Sequence, residues 1–313
     1  MKKPVVILLC ICLGTALTFC ASNYLQNPGK DYHGQDLALT GCSPNIRTSE
    51  DPYRSFKAIH PNNFFDPRLF KPLSPEEIEP FQGRVFGAVV PHHLIAHELI
   101  GEVFAKLSRS QDPPSLIILL GPNHQNWGNR ILTSSLGWNT PFGTVEADED
   151  VIDELLNTKL IKRDDSAFTK EHSMGNLMPF IKFYLPDARV VPIIFHHDVL
   201  KKEAEEIARH LSRVVEIGAV VVASVDFSHY LPKNKAELRD QETIRALKAK
   251  DLDKLFSFGN EHLDSPASLA IVLLTMESRG ITEFEILAHT NSGILMGNDM
   301  IETTSYMTLL FKE

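Results

Sequence analysis

The residues of this chain best suited to chemistry are histidines placed at the ends of apolar runs. The first run, Val85–Val90, ends in Pro91 and opens onto His92, His93 and, about one helical turn on, His97. The second, residues 116–120, runs into Gly121-Pro122-Asn123-His124. The third, residues 219–224, leads to Asp226-Phe227-Ser228-His229. In an open α/β sheet, ligands bind just outside the carboxyl ends of the strands. Three such ends bearing histidine therefore predict one shared metal or acid/base pocket.

Each candidate also has a plainer reading. His92 can cap a helix or hydrogen-bond a carboxylate. Gly121-Pro122 is ordinary turn chemistry, although ending two strands in Pro-His and Gly-Pro-Asn-His is less ordinary. Asp226, three residues before His229, can orient that ring or raise its basicity, as a general acid/base requires, or can simply stabilise a turn. Glu171-His172-Ser173 precedes a helical-looking stretch, residues 174–184, and is a fourth candidate. His196-His197 also follows a strand, but the two rings would face opposite sides of it, so the pair reads as structural.

The elements that must position these residues alternate along the chain. Strand-like runs occupy residues 85–90, 116–120, 189–195, 219–224, 284–289 and 305–311, and helix-like stretches residues 94–108, 148–158, 201–215, 235–249 and 268–278. Continuous apolar strands separated by amphipathic helices predict an α/β fold with a central, mainly parallel sheet flanked by helices on both faces. One domain over residues 81–313 is the simplest account. Residues 23–80 are rich in Asn, Pro, Gly, Ser and Asp and read as an extended lead-in. Within them the aromatic stretch 58–65 is expected to dock on the body, and Ser74-Pro75-Glu76-Glu77 carries helix-start signals.

Bulk composition narrows the classes. At 313 residues, 43% hydrophobic and 23% charged, the chain has the make-up of a globular protein with ample core. A net charge of −9 argues against nonspecific nucleic-acid binding, which needs clustered Lys and Arg. Lys2 and Lys3 followed by an apolar stretch to residue 21 read as a secretory signal covering residues 1–22, so an exported, periplasmic or membrane-associated protein is expected. Its end is open among a lipoprotein site at Cys20, cleavage near Ala21-Ser22 and an uncleaved anchor. Cys10, Cys12 and Cys20 fall in the signal, which leaves Cys42 alone and excludes a disulfide framework within one mature chain or a thiolate cluster.

Taken together, PHHL at 91–94, GPNH at 121–124, EHSMGNLMPF at 171–180, VDFSHY at 225–230 and TTSYMTLLF at 303–311 resemble the Memo family, whose bacterial members include AmmeMemoRadiSam system protein B. The resemblance runs from about Ala58 to the C-terminus. It implies a fold like that of the class III extradiol dioxygenases, which use non-haem Fe(II), and a functional link to a radical-SAM protein. It implies His92 and His124 as metal ligands, His229 as proton carrier with Asp226 beside it, His172 as a further pocket residue and His60 as another. The third ligand is a cysteine in the best-known Memo proteins and a glutamate in the dioxygenases. Here the corresponding stretch, residues 262–268, has no cysteine, and Asp264 is the nearest replacement.

Two histidines and one carboxylate form the facial triad suited to Fe(II) oxygen chemistry. A three-ligand site with an open position also suits catalytic zinc, and Mn(II) or Cu can occupy similar donors. Asp264 has a plainer role too, as the N-cap of the helix that follows it. Gly175 and Leu177 replace a glutamate and a polar residue usual in the family, which implies a more apolar pocket. The expectation is a metal-binding protein with redox or oxygen-using chemistry on a small molecule or peptide. The rival expectations are a non-catalytic peptide-binding or metal-sequestering module and a zinc hydrolase.

Overall fold

The apolar runs become strands because their β-branched and leucine side chains fill both faces of a sheet. In the computed structural model, which describes residues 58–73, 77, 83–298 and 300–313, eleven strands occur. They are β1 (Ile59–His60), β2 (Val85–Val90), β3 (Leu116–Pro122), β4 (Ile131–Thr133), β5 (Gly137–Thr140), β6 (Gly143–Val145), β7 (Lys162–Arg163), β8 (Arg189–Phe195), β9 (Val220–Ser224), β10 (Glu285–Asn291) and β11 (Ser305–Lys312). Ten α-helices accompany them: α1 (His97–Ser108), α2 (Glu149–Asn157), α3 (Asp165–Phe168), α4 (His172–Gly175), α5 (Met178–Tyr184), α6 (Lys201–Glu216), α7 (Lys233–Ala249), α8 (Leu252–Phe256), α9 (Pro266–Ser278) and α10 (Ser292–Met296). The signal-like N-terminus, Cys20, Cys42 and the helix-start signal at Ser74 lie outside the described residues.

Eight strands form one sheet in the order β10-β11-β2-β9-β3-β8-β4-β7. Its centre, β2-β9-β3-β8, is parallel, and β11, β10 and β4 join antiparallel at the flanks. Every residue of β2, β3 and β9 is buried, as a sheet covered on both faces requires. Alternate side chains separate two cores. Ile118 and Leu120 pack with α6 and α9 on one face, while Ile117 and Leu119 pack with α1 and α5 on the other. Helix α9, apolar nearly all round, is packed against α6, β9 and β2.

A second sheet, β1-β5-β6, brings the aromatic stretch after residue 58 onto the body. Phe65 and Phe70 pack against Phe142, and Phe70 also against Phe180. The helical stretch expected over 174–184 is two helices, α4 and α5, separated at Asn176-Leu177. That break frees the Asn176 side chain to donate to the carbonyl of His92 at 2.7 Å. The parallel centre of the sheet sends the C-terminal ends of β2, β3 and β9 to one edge. All three histidine-bearing loops therefore leave the sheet on the same side.

Candidate metal centre

His92 follows Pro91 at the end of β2 and is 1% exposed. Its backbone N–H donates to Asp226 Oδ1 at 3.0 Å, and its Nδ1 lies 3.1 Å from Ser224 Oγ. Its Nε2 faces two carboxylates, Asp264 Oδ2 at 3.3 Å and Asp226 Oδ2 at 3.7 Å. Burial holds this imidazole well below its ordinary pKa, and the neighbouring His124 and His172 add to the effect. His92 is thus a neutral base at physiological pH.

His124 leaves β3 through the Gly121-Pro122-Asn123 turn. Its backbone N–H donates to Glu171 Oε2 at 2.9 Å and its Nδ1 lies 2.7 Å from Glu171 Oε1. Burial would raise the Glu171 carboxyl, but the hydrogen bonds from His124 and from the Ser173 and His124 amides outweigh it and hold the pKa at about 2. An ionised carboxylate only accepts, so the His124 proton sits on Nδ1 and its Nε2 lone pair is free. His172, next in the chain after Glu171, stacks on His124 with ring centroids 4.0 Å apart.

Asp226 and Asp264 form the other wall. An isolated bridge between Phe227 and Leu263 aligns their loops, and the Asp264 N–H donates to the Asp226 carbonyl at 3.1 Å. In return the Asp226 N–H donates to Asp264 Oδ2 at 3.3 Å. Burial raises both carboxyls, Asp264 strongly and further through the charge of Asp226; His229 opposes the shift at Asp226. Asp264 Oδ1 is buried and has no hydrogen-bond partner. The helix-cap role is excluded for Asp264: the N-cap of α9 is Ser265, whose side chain accepts from the Ser268 N–H.

His229 lies on the same cavity, with its pKa lowered by burial against the opposing charge of Asp226. Asp226 does not hydrogen-bond its ring; it accepts the His92 amide instead, and His229 Nδ1 is buried without a partner. The cavity, about 580 Å³, is lined by His92, His124, His172, Asp226, His229 and Asp264 among others.

Donor atoms of His92, His124 and His172 all lie within 4.8 Å of one another, and so do those of His92, Asp226 and Asp264. These groups could hold a metal ion, and His92 is common to both. The candidate ligands His92, His124 and Asp264 are thus divided between two groups that meet at His92.

Several sequence expectations change here. His60 is away from the cavity lining: its ring packs 4.3 Å from Trp138 and its Nε2 lies 2.8 Å from Ser134 Oγ, because β1 is drawn into the small sheet. Gly175 and Leu177 also face away. A side chain at Gly175 would strike Phe64, and Leu177 is fully buried in the core, so neither makes the pocket apolar. His197, read as structural, lines the cavity. Glu171 and Ser224 were not singled out as partners of the histidines. The available signals were a carboxylate directly before His172 and a lone polar residue closing the apolar run of β9.

The structure is thus an α/β sheet with histidines and carboxylates gathered at its strand ends, a donor set that could hold a metal ion. The match is more particular than this: residues 68–309 fit the model of the Memo-like proteins, and the chain belongs to the Memo family. It is 28% identical over 239 residues to a MEMO1 family protein of Pyrobaculum aerophilum, covering 73% of this chain and 84% of that one. A MEMO1 family protein of Pyrobaculum arsenaticum is 30% identical over 238 residues, with the same coverage. The crystal structure of an uncharacterized protein from Escherichia coli K12 superposes with a TM-score of 0.50 at 12% identity, over 72% of this chain and 99% of that one, a likeness of fold.

Proposed function

We propose that this Memo-family protein holds one divalent transition ion against His92 and His124 with Asp264 as the anionic ligand, and uses the cavity for redox or oxygen-using chemistry. The observation that carries the reading is Asp264 Oδ1, a buried carboxylate oxygen without a partner, whose sister oxygen lies 3.3 Å from His92 Nε2. Leaving such an atom unpaired is costly, and a cation beside the two carboxylates removes that cost. A bound ion would supply Lewis acidity and an open coordination position; two histidines and a carboxylate favour Fe(II), with Zn(II), Mn(II) or Cu as competitors.

The remaining residues have distinct tasks. His229, kept neutral by burial, lines the cavity as the proton carrier of this reading, and the nearby Asp226 charge favours the imidazolium that results when it takes a proton. His172 walls the cavity beside His124 and is the more accessible second base. A volume of about 580 Å³ suits one small organic molecule or a peptide side chain.

Metal analysis of purified protein, then oxygen uptake with a panel of catechols, tests the reading. Metal-dependent uptake supports it. Protein that binds no divalent ion after reconstitution overturns it, and a loaded protein that consumes no oxygen supports metal sequestration instead. Loss of binding in Asp264→Ala but not in His172→Ala assigns the third ligand to the carboxylate. The basic-then-apolar N-terminus supports an exported protein. Fractionation, with palmitate labelling that disappears in Cys20→Ala, tests that part.

A further inference from the structure

We infer that Ser224 is a positioning residue of the proposed centre and that, together with residues 171–176, it fixes both strand-end histidines in the tautomer that offers Nε2 to the cavity. The consequence for metal affinity rests on the metal reading above; the tautomer does not.

The argument starts from proton counting. Ser224 Oγ donates to the carbonyl of Ser173 at 2.7 Å, and a carbonyl has no proton to return. A serine hydroxyl has one proton, so toward His92 Nδ1, 3.1 Å away, Ser224 Oγ acts as acceptor. His92 Nδ1 therefore carries the ring proton. A neutral imidazole has one N–H, so Nε2 is left as a bare lone pair facing Asp264. At His124 the Glu171 carboxylate imposes the same tautomer by the same logic.

Both anchors belong to one short stretch. Glu171 caps α4 by accepting the Ser173 N–H at 2.9 Å, Ser173 Oγ donates to the Pro122 carbonyl at 3.1 Å, and Asn176 holds the His92 carbonyl. The motif EHSMGN thus works as a clamp across the ends of β2, β3 and β9. It approaches β3 so closely that a Cβ at Gly121 would lie 3.0 Å from Ser173 Oγ. Moving this stretch would release both histidines together, whereas loss of Ser224 would release His92 alone.

Long-range 15N–1H correlation spectra of the full-length, metal-free protein, labelled at histidine, read the tautomers directly. The expected result is an Nδ1–H tautomer for both His92 and His124. Ser224→Ala should convert His92 to a tautomer mixture, leave His124 unchanged and weaken Zn(II) binding roughly 10–100-fold, the range typical of lost outer-shell partners. Ser224→Thr should restore the wild-type spectrum and affinity, which a role in packing alone would not predict. An Nε2–H tautomer at His92 in the wild type, or an unchanged His92 spectrum in Ser224→Ala, overturns the inference. Should the alanine variant not fold, Ser224→Cys, with its weaker acceptor, carries the same expectation. Wild-type protein with the expected tautomers but no Zn(II) binding would refute the metal reading and leave the tautomer assignment standing.

Discussion

At the scale of the residue, the surroundings of Asp264, the proposed anionic ligand, make a ligand role separable from capping. Ser265 already caps α9, so Asp264→Ser disturbs no cap. The expected outcome is a metal affinity lower by roughly 10–100-fold or more, with the helix content of the fold retained, measured by chelator competition and circular dichroism. Asp264→Cys should shift preference toward Cu(I) because a thiolate is the softer donor. Full Fe(II) or Zn(II) affinity in the serine variant would remove Asp264 from the ligand set. Glu171→Gln bears on His124 in the same way. Glu171 receives three N–H donors on two oxygens, and an amide must turn its NH2 toward one of them. That variant should loosen His124 and weaken metal binding, again by roughly 10–100-fold, as read by isothermal titration.

At the scale of the element, the site depends on how closely α4 approaches the end of β3. Adding a methyl group at Gly121 would place it 2.5 Å from Met174 Cε and 3.2 Å from Ser173 Cβ. Met174 can swing aside, but Ser173 is held by its bonds to Glu171 and Pro122. Gly121→Ala should therefore cost about 1–3 kcal/mol in urea unfolding, in the range of overpacked cores, and should lower metal affinity as well. Gly137 provides the contrast. A Cβ there would lie 2.5 Å from the Val145 carbonyl, in the small sheet away from the cavity. Gly137→Ala should be at least as destabilising yet leave the affinity of the folded fraction unchanged. If both variants bind metal like the wild type, the clamp does not govern the site.

For the whole molecule, the unusual number of buried neutral histidines predicts how the metal-free protein responds to acid. Burial lowers the pKa of His60, His92, His97, His172 and His229 below 6.5 in the folded chain, with charged neighbours adding or opposing at each. The unfolded chain takes up protons near 6.5 that the folded chain refuses. Stability from these groups is therefore full above that pH and is lost as pH falls through the window below it. Each such proton contributes a slope of about 1.4 kcal/mol per pH unit. Asp226 and Asp264 act in the opposite sense: their raised folded values give stability at low pH that is lost as pH rises through those values. The five histidines outnumber the pair, so the melting temperature of metal-free protein should climb between mildly acidic and neutral pH. His60→Gln should flatten that climb without touching the metal site. A melting temperature that falls over the same interval would contradict the prediction.

Much of this molecule was legible in the sequence, for identifiable reasons. Long apolar strands and amphipathic helices write their own periodicity, so β2, β3, β8, β9 and β11 and the helices on either face could be read without a structure. The strand-end positions of His92, His124 and His229 followed from the same pattern. Strands β4 to β7 were not legible, because two to four residues show no period and exist only through pairing with their neighbours. Strand direction was also hidden, since burial on both faces looks alike whether β11 runs parallel or antiparallel to β2. Above all, a sequence does not say which acceptor each histidine meets. Ser224 lies 132 residues from His92, and Glu171 lies 47 from His124. Only the convergence of β2, β3 and β9 on one edge, with α4 laid across it, selects those partners. The residue types fixed what chemistry was possible, and the tertiary contacts decided which nitrogen is free to do it.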